Sequence, residues 1–391
     1  MLPTLHDIYP TSTVELSFSD ESHPVQQLMS RTGSFPLRIA LAFLRRYARP
    51  GDTVLDPFCG RGTTLLAARF CGMRAYGSDI APEAVICTRA KIGAVTLDSV
   101  LDYLSGIRLG ARRIGEQPSE VRVFFHDETL RQIVLTARRL RADAANPNPR
   151  LAANATFALA ALLGILHGHA SYSLSISSAH AYSMSPAYVS RYAREHGLRK
   201  PLRDVLECVA AKVERTLCSP LPIATPSRVA EVDASRVPQR FRSLVGVVDV
   251  ILTSPPYLDS QTYAKDNWLR LWLLGYDFRS HHALYVHTAS PRRYVELMLP
   301  VLASAKRMLR PGGRLILVAG DVRRESAVER VIQTASLLME QVIAPLGGIR
   351  VVANGMHPTT GVSRYYHAIH RTSGHTKSQA AERYLVLERE K

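Results

Sequence analysis

The chain has 391 residues, enough for one large domain or two ordinary ones, and 46% of them are hydrophobic, which excludes a disordered protein. No apolar run is long enough to span a bilayer, so we expect no membrane-spanning segment and no membrane partner. The net charge of +16 favours a polyanionic partner, with nucleic acid as the first candidate, although a generally basic proteome would also produce it.

Cysteine and histidine spacing gives no metal-binding pattern. The five cysteines contain no CxxC pair, and His167, His169 and His180 fit no standard zinc spacing, so we expect reduced thiols and no metal. The N-terminus shows no basic segment followed by an apolar one, which argues against secretion. We therefore expect a cytoplasmic protein, and the sequence gives no indication of its oligomeric state.

Four short apolar segments, each bounded by turn residues or helical patterns, predict the strands of a parallel sheet. In chain order they are TVLDPF, RAYGSDI, VVDVILTS and RLILVAGD. RVAEVDASRV is a weaker candidate with Asp233 in the loop after it, and ERYLVLERE alternates like an edge strand. Together they predict an α/β fold with a doubly wound, mostly parallel sheet covered by helices on both faces.

Residues 98–222 interrupt this pattern between the second strand and the weaker candidate. The segment contains helical patterns joined by polar loops, and it is far longer than a simple crossover between neighbouring strands requires. We interpret it as an inserted helical subdomain, flanked by residues 1–97 and 223–391, which together form the main domain.

The stretch VLDPFCGRGTTLLAA predicts a strand, a tight turn and the start of a helix. Gly60 and Gly62 allow a ligand to approach the backbone closely, and Thr63 and Thr64 can cap the helix. Asp79 follows Gly60 by about 20 residues and ends the next strand, where a carboxylate can hold ribose hydroxyls. There is no third glycine and no P-loop lysine, which favours a nucleoside ligand without pyrophosphate.

This stretch resembles the S-adenosylmethionine motif of amino-group methyltransferases, DPFxGxGTT. The matching residues are Asp56, Pro57, Phe58, Gly60, Gly62, Thr63 and Thr64. The resemblance implies a class I, Rossmann-like fold in which the turn from Asp56 to Gly62 faces the methionine part of the cofactor. It also implies that Asp79 binds the ribose, with the adjacent Ile80 as a further cofactor-binding candidate.

Two further segments are similar to cofactor-binding parts of the same family. SRTGSFP, at residues 30–36, is similar to the additional N-terminal cofactor motif, which makes Thr32, Ser34 and Phe35 cofactor-binding candidates. Asp233 matches the position whose carboxylate contacts the amine of adenine. The cofactor implied by all these residues is S-adenosylmethionine.

The stretch TSPPY ends the third predicted strand in a rigid corner, because neither proline has an N–H and both fix φ at about −65°. Its last four residues match the family's catalytic motif, (D/N/S)-P-P-(Y/F/W). The resemblance makes Ser254 Oγ and the Pro255 carbonyl acceptors for the reacting amine, held in place by the double proline with Pro256. Tyr257 is then a stacking surface for a base flipped out of a duplex.

The order of cofactor motif, long insert and catalytic motif resembles bacterial site-specific DNA amino-methyltransferases that place target recognition between the two motifs. Double-stranded DNA is the implied substrate, and a cognate restriction endonuclease is a candidate partner. Arg138, Arg139 and Arg141 in the insert are candidates for phosphate contacts, or they form a solvated helix face.

The target base is left open by two conflicting features. A serine in the first position of the catalytic motif is typical of cytosine-N4 enzymes, whereas this order of motifs is more familiar among adenine-N6 enzymes. We favour cytosine N4, with adenine N6 as the alternative. An RNA amino-methyltransferase and a non-catalytic DNA-binding regulator are further alternatives. The absence of a recognisable RNA-binding domain argues against the first, and the presence of Ser254 and Asp79 argues against the second.

Overall fold

The structure is a computed structural model, and the parts of the chain that it describes are residues 22–30, 35–110, 113–168, 170–177, 183–256, 263–282, 284, 288, 290–320, 322–324, 330–332, 337–358 and 381–391. The strands are β1 (Thr53–Asp56), β2 (Arg74–Asp79), β3 (Ser227–Glu231), β4 (Val248–Thr253), β5 (Leu309–Gly320), β6 (Val322–Arg324), β7 (Arg330–Ile332), β8 (Ile349–Pro358) and β9 (Ala381–Arg389).

The longer helices are α1 (Leu37–Tyr47), α2 (Thr63–Phe70), α3 (Pro82–Ile92), α4 (Leu97–Ser105), α5 (Asp127–Ala144), α6 (Pro149–Ile165), α7 (Pro186–Glu195), α8 (Val205–Leu217), α9 (Trp268–Leu274) and α10 (Pro291–Met308). Short helical turns cover Pro24–Gln27, Ser119–Arg122, Ala234–Arg236, Val237–Arg240, Arg242–Leu244, Tyr263–Asp266, Phe278–His282, Met339–Ile343 and Ala344–Leu346.

One seven-stranded sheet forms the centre of the fold, with the strand order β3-β2-β1-β4-β5-β9-β8. The neighbouring pairs from β3 to β5 are parallel, whereas β9 is antiparallel to both β5 and β8. One face of the sheet packs against α1, α2 and the helices beyond them, and the other packs against α10 and the short turns near it. The predicted doubly wound, mostly parallel α/β fold is confirmed.

The prediction that ERYLVLERE is an edge strand is wrong. It forms β9, which lies between β5 and β8, and the edge strand β8 was not predicted. Tyr384 and Val386 belong to the core on one face of the sheet, and Leu385 and Leu387 to the core on the other. Four consecutive buried residues mark a strand covered on both sides, and the charged residues around them only resemble the alternation of an edge strand.

All regular elements described between residues 97 and 217 are helices, namely α4 to α8 with one short turn. Their buried side chains are continuous with those of the sheet: Phe157 and Val213 belong to the same hydrophobic cluster as Val54 of β1 and Leu252 of β4. The helix α6 packs against α3 as well as against the other insert helices. The insert therefore shares one core with the sheet.

The register of the parallel strands brings their carboxyl ends to one edge of the sheet. Asp56 at the end of β1 pairs with Gly77 of β2, and Asp79 at the end of β2 pairs with Glu231 of β3. Because β4 runs parallel beside β1, its last residue, Thr253, reaches the same edge. The two motifs singled out in the sequence thus meet although they are far apart in the chain.

Candidate active site

The turn between β1 and α2 depends on two glycines for different reasons. Gly60 and Gly62 have φ values of 49° and 81°, in the left-handed region. A Cβ on Gly62 would lie 2.8 Å from Thr88 Oγ1, so this glycine allows the turn to pack on α3. At Gly60 an added Cβ would meet only the Phe58 carbonyl oxygen, at 3.9 Å, which leaves this side of the turn open to a ligand.

The prediction that Thr63 and Thr64 cap the helix is wrong. The helix begins at Thr63 with Gly62 as its N-cap, and no side chain donates or accepts a capping hydrogen bond there. Both threonines are buried and are the first two residues of the helix, whereas a capping side chain belongs to the residue before it. Thr64 Oγ1 instead donates to the carbonyl of Leu252 at 3.2 Å, which ties the turn to β4.

Asp79 lies directly beside the glycine turn. Its Oδ2 accepts a hydrogen bond from the Gly60 N–H at 2.8 Å, and its Oδ1 accepts one from the Ala81 N–H at 2.9 Å. The next residue, Ile80, packs with Phe278 against the first turn of α3. A half-buried carboxylate beside an open glycine turn and an apolar surface fits the ribose and the base of a nucleoside ligand.

Asp233 lies in the loop after β3, next to the loop that follows Asp79. It is exposed and caps a short turn, because its Oδ1 accepts from the N–H and the Oγ of Ser235 at 2.8 and 2.5 Å. The N–H of Val232 donates to the carbonyl of Asp79 at 3.1 Å, which holds the two loops together. The two predicted cofactor carboxylates therefore lie at the end of β2 and just beyond the end of β3, at the same edge of the sheet.

A buried hydrogen bond joins the two motifs. Thr253 Oγ1 donates to Asp56 Oδ1 at 2.6 Å, and the same oxygen accepts from the Phe58 N–H at 3.0 Å. Asp56 is 2% exposed. Burial raises the pKa of Asp56 to about 6, although the hydrogen bonds from Thr253 and the Phe58 N–H oppose the shift. Asp56 thus fixes the position of the glycine turn relative to the end of β4.

The residues after Thr253 carry the predicted catalytic motif. Ser254 and Pro256 are half-buried and Pro255 is buried, directly beyond the end of β4. Tyr257 lies outside the described residues, as do the cofactor candidates Thr32 and Ser34.

Three cofactor candidates lie mainly inside the protein rather than at its surface. Phe35 is only 4% exposed and belongs to the core. Pro57 is buried and its carbonyl accepts from Ser78 Oγ at 3.1 Å, whereas Phe58 is half-buried and packs against the other core cluster. These residues shape the site through packing and backbone position.

Thr88 and Lys91, on one face of α3, hold the glycine turn from behind and were not predicted. Thr88 Oγ1 donates to the Gly60 carbonyl at 3.0 Å, and Lys91 Nζ donates to the Arg61 carbonyl at 2.7 Å. Lys91 is 1% exposed, and burial lowers its pKa to about 8. Their spacing of three residues places them on the same side of a helix, which is the sequence signal that could have identified them.

The three insert arginines differ in their surroundings. Arg139 forms an ion pair with Asp143, 2.6 Å between Nε and Oδ2, and the same carboxylate accepts from the hydroxyl of Tyr103. Arg138 and Arg141 are exposed and line an open groove on α5 together with Trp272. The geometry therefore leaves Arg138 and Arg141 better placed than Arg139 for contacts with phosphates.

Within the described residues, no three His, Cys, Asp or Glu side chains are grouped closely enough to hold a metal ion. His167 is 4% exposed, and burial lowers its pKa well below the usual value, with the nearby Arg270 guanidinium adding to the effect. His169 and His180 lie outside the described residues. No helix in the described part of the chain combines the length and apolar character needed to cross a membrane.

Residues 5–88 match the family model described as DNA methylase. This segment includes the glycine turn and Asp79. The match confirms, for this part of the chain, the predicted resemblance to DNA amino-methyltransferases. The match also confirms S-adenosylmethionine as the cofactor that the sequence predicts. The strand order with an antiparallel β9 agrees with the predicted class I, Rossmann-like methyltransferase fold, which is likewise confirmed.

Curated relatives match short segments. The Type II methyltransferase M.MjaII of Methanocaldococcus jannaschii is 27% identical over 105 residues, covering 26% of this chain and 20% of that protein. M.MjaI of the same organism is 37% identical over 79 residues, covering 20% of this chain and 25% of that protein. The ribosomal protein L11 methyltransferase of Burkholderia mallei is 43% identical over 60 residues, or 15% of this chain and 20% of that protein. The chain thus spans a quarter or less of the length of these relatives.

Two solved structures align with most of the chain at low identity. TrmN from Thermus thermophilus has a TM-score of 0.37 and 14% identity, and the match covers 94% of this chain and 52% of that one. The rRNA methyltransferase aviRa from Streptomyces viridochromogenes has a TM-score of 0.34 and 11% identity, covering 93% and 89%.

Replacing Asp56 by asparagine tests the buried carboxylate. Because the folded-state pKa of Asp56 is raised from 3.8 to about 6, ionisation disfavours the folded state. The stability that Asp56 contributes is therefore present below its unfolded pKa and is lost as the pH rises towards 6. The free energy of unfolding, measured with urea between the unfolded pKa of 3.8 and about pH 6, should fall in the parent and should not show this fall in Asp56→Asn. The control Asp102→Asn, at an exposed site, should show the same pH dependence as the parent. If the unfolding free energy of Asp56→Asn falls with pH as in the parent, the raised pKa is not that of Asp56.

Proposed function

We propose that the chain is an S-adenosylmethionine-dependent DNA methyltransferase that methylates the exocyclic amino group of a base, with cytosine N4 favoured. The observation that carries the proposal is the 2.6 Å hydrogen bond between Thr253 and Asp56. This bond joins the glycine turn to the end of β4, directly before Ser254, and it supports a role for both segments in one site. The match of residues 5–88 to a DNA methylase supports DNA as the substrate.

The cofactor, when bound, supplies a methyl group on a positively charged sulfur. Asp79 is suited to accept hydrogen bonds from the two ribose hydroxyls, because its carboxylate is already fixed by the N–H groups of Gly60 and Ala81. Ile80, with Phe278 beside it, offers an apolar surface to the adenine. Asp233, on the neighbouring loop, is placed to accept from the adenine amine, and Thr32 and Ser34 remain candidates in the N-terminal motif.

Ser254 and Pro255 supply the catalytic step. The lone pair of an exocyclic amine is delocalised into the base, so the nitrogen is a poor nucleophile. Ser254 Oγ and the Pro255 carbonyl can accept from its two N–H bonds and draw it towards tetrahedral geometry as it reacts. The double proline fixes these acceptors before the base arrives, so little reorganisation is needed. Tyr257 is the proposed stacking surface for the flipped base.

Asp56 and Thr253 affect the reaction by holding Ser254 in position. The hydroxyl of Thr253 is bound to Asp56, and Ser254 follows it directly, so the catalytic acceptor cannot shift along β4 without breaking this bond. On the other side, Thr64 holds the carbonyl of Leu252. The distance between the glycine turn and Ser254 is thereby set by buried contacts.

The catalytic motif bears on the target base, and the net charge bears on the nucleic-acid substrate. Serine in the first position favours cytosine N4, and the order of the motifs keeps adenine N6 as the alternative. The net charge of +16 suits a duplex DNA substrate. A cognate restriction endonuclease and a cytoplasmic, nucleoid-associated location remain proposals of the same kind.

Ser254→Ala tests the catalytic assignment. Loss of an acceptor used mainly in the transition state should slow single-turnover methyl transfer to duplex DNA by about 10- to 100-fold, with DNA affinity nearly unchanged. Ser105→Ala, at an exposed serine of α4, is the matched control and should keep the parent rate.

The product of the same reaction identifies the base. Mass spectrometry of the nucleosides in the methylated DNA should show N4-methylcytosine. N6-methyladenine would instead identify the chain as an adenine-N6 methyltransferase. Turnover of Ser254→Ala at the parent rate, or a methylated RNA with unmethylated DNA, would contradict the proposal.

The three arginines of α5 provide a DNA-binding test with an internal control. Replacing Arg138 and Arg141 with glutamine should reduce the slope of log affinity against log salt concentration by about 1.8, since each phosphate contact contributes about 0.9 to this slope. Arg139→Gln should leave the slope unchanged, because Arg139 is paired with Asp143. If all three substitutions keep the parent slope, α5 presents a solvated face and DNA binds elsewhere.

A further inference from the structure

Helix α7 and the loop after it form a largely exposed part of the insert, which the proposed active site does not use. Val189 is the only buried residue of the helix, and it belongs to the main core. The Ser185 side chain caps the helix by accepting from the Tyr188 N–H at 3.2 Å. Residues 188–203, called the α7 surface below, therefore leave most of their side chains in contact with solvent.

Three rings on the α7 surface form a stacked column. The rings of Tyr188 and Tyr192 lie 5.8 Å apart at an angle of 16°, and those of Tyr192 and His196 lie 4.0 Å apart at 26°. Their spacing of four residues places them on one side of the helix. Tyr188 packs partly against the core, whereas His196 is exposed. The column is thus fixed at its inner end and reaches solvent at its outer end.

Basic side chains dominate the α7 surface. They are Arg191, Arg194, Arg199, Lys200 and Arg203. Glu195 is the only acidic residue among them, and its ion pair with Arg191 is long, at 3.8 Å, and exposed. The Cζ atom of Arg191 also lies 5.8 Å from the centroid of the Tyr188 ring, so the column supports this guanidinium. Arg194 and Arg199 are exposed and form no ion pair within the described part of the chain.

Helix α5, the other arginine-rich helix of the insert, carries more compensating charge. Three acidic residues lie among its four arginines, namely Asp127, Glu128 and Asp143. Arg131 is paired with Glu128, 2.7 Å between Nη2 and Oε1, and Arg139 is paired with Asp143. The α7 surface therefore has the larger excess of positive charge, which suits a polyanionic partner.

Hydrogen bonds fasten the α7 surface to the catalytic half of the chain at its beginning. The Ser183 N–H donates to the carbonyl of Asp266 at 2.8 Å. Trp268 Nε1 donates to the carbonyl of Met184 at 3.0 Å. Asp266 and Trp268 lie at the start of α9, the first of the longer helices after the catalytic motif. The orientation of α7 is therefore fixed relative to α9.

The far end of the α7 surface is fastened to the beginning of α5. Lys200 Nζ donates to the carbonyl of Arg122 at 2.6 Å, and the Arg203 N–H donates to Thr129 Oγ1 at 2.9 Å. Arg199, just before these contacts, keeps its side chain exposed. A backbone held at both ends presents its cations in a fixed arrangement, so binding a partner orders few additional residues.

The phosphate backbone of DNA matches this surface in charge and chemistry. A guanidinium group binds a phosphate through two parallel N–H···O bonds, and such contacts supply much of the affinity of proteins for nucleic acids. The net charge of +16 gives the whole chain the same preference for a polyanion. The match of residues 5–88 to a DNA methylase favours DNA over RNA as that polyanion.

We propose that the α7 surface binds the phosphate backbone of duplex DNA, with Arg194 and Arg199 in contact with phosphates and the ring column supporting Arg191. The inference rests on the proposed function, because duplex DNA is the substrate of that function. Phosphate contacts carry no sequence information, so the surface contributes affinity and orientation rather than the choice of a target sequence.

The double variant Arg194→Gln/Arg199→Gln tests the phosphate contacts. Binding of a labelled DNA duplex is followed by fluorescence anisotropy at salt concentrations from about 50 to about 200 mM. The slope of log affinity against log salt concentration should decrease by about 1.8, since each phosphate contact contributes about 0.9. Duplexes of unrelated sequence should lose affinity to the same extent, and the Tm and the Kd for S-adenosylmethionine should stay at the parent values.

Arg242→Gln/Arg307→Gln is the matched control, because it removes the same charge from two exposed arginines elsewhere. Arg242 lies in the turn before β4, and Arg307 lies at the end of α10, before β5. Both therefore lie near the amino ends of these parallel strands, away from the edge that carries the proposed site. The control should keep the parent slope.

Tyr192→Ala and Tyr192→Phe test the ring column. Tyr192→Ala removes the middle ring and should lower the affinity for duplex DNA by about three- to tenfold, because the support of Arg191 is lost. Tyr192→Phe keeps the stacked ring and should bind DNA as the parent does. Parent-like DNA affinity in Tyr192→Ala would show that the column has no part in binding.

Parent-like salt dependence in Arg194→Gln/Arg199→Gln would overturn the inference and leave the α7 surface as a solvated face. An equal decrease in Arg242→Gln/Arg307→Gln would also overturn it, since it would show an effect of net charge alone. So would a loss of affinity for duplex RNA with unchanged affinity for duplex DNA. Methyl transfer is measured separately: a parent that binds duplex DNA but transfers no methyl group from S-adenosylmethionine contradicts the proposed function, whereas the salt slopes decide on the α7 surface.

Discussion

The hydrogen bond between the Thr253 hydroxyl and the Asp56 carboxylate is the contact on which the proposed site depends. It lies at the carboxyl edge of a parallel sheet, where β1 and β4 are direct neighbours through the pairs of Val54 with Val250 and Leu55 with Ile251. A charge-assisted bond away from water is strong, and leaving Asp56 buried without it would be costly. The cofactor turn and the catalytic serine therefore keep one fixed spacing.

The rest of the fold restrains the same edge from several directions. Thr88 and Lys91 hold the glycine turn from α3, and Asp79 holds it from β2. Arg270 connects α9 with the insert and with Ser30, the first residue of the SRTGSFP segment. Each restraint ends on a main-chain atom, so side chains from distant segments determine where the backbone of the site lies.

The sequence predicts the centre of the fold well because the relevant signals are local. Short apolar runs ending in turn residues give β1, β2 and β4, and the order of glycines and Asp79 indicates the crevice. Strand β9 was misplaced, since its charged neighbours hide four consecutive buried residues, and β8 was missed. Contacts such as Arg270 with Ser30 could not be predicted, because no local pattern marks a pairing across 240 residues.

The central claim is that Asp56 and Thr253 act as one unit in placing Ser254. A double-mutant cycle with Thr253→Val and Asp56→Ala, each of which removes one partner of the bond, tests it most directly. It is read by single-turnover methyl transfer to duplex DNA, with the unfolding free energy measured in parallel. The account predicts that each single change slows transfer in a folded protein, and that the double variant is no slower than the worse single one. Parent-like rates in Thr253→Val, or strictly additive losses, would contradict it.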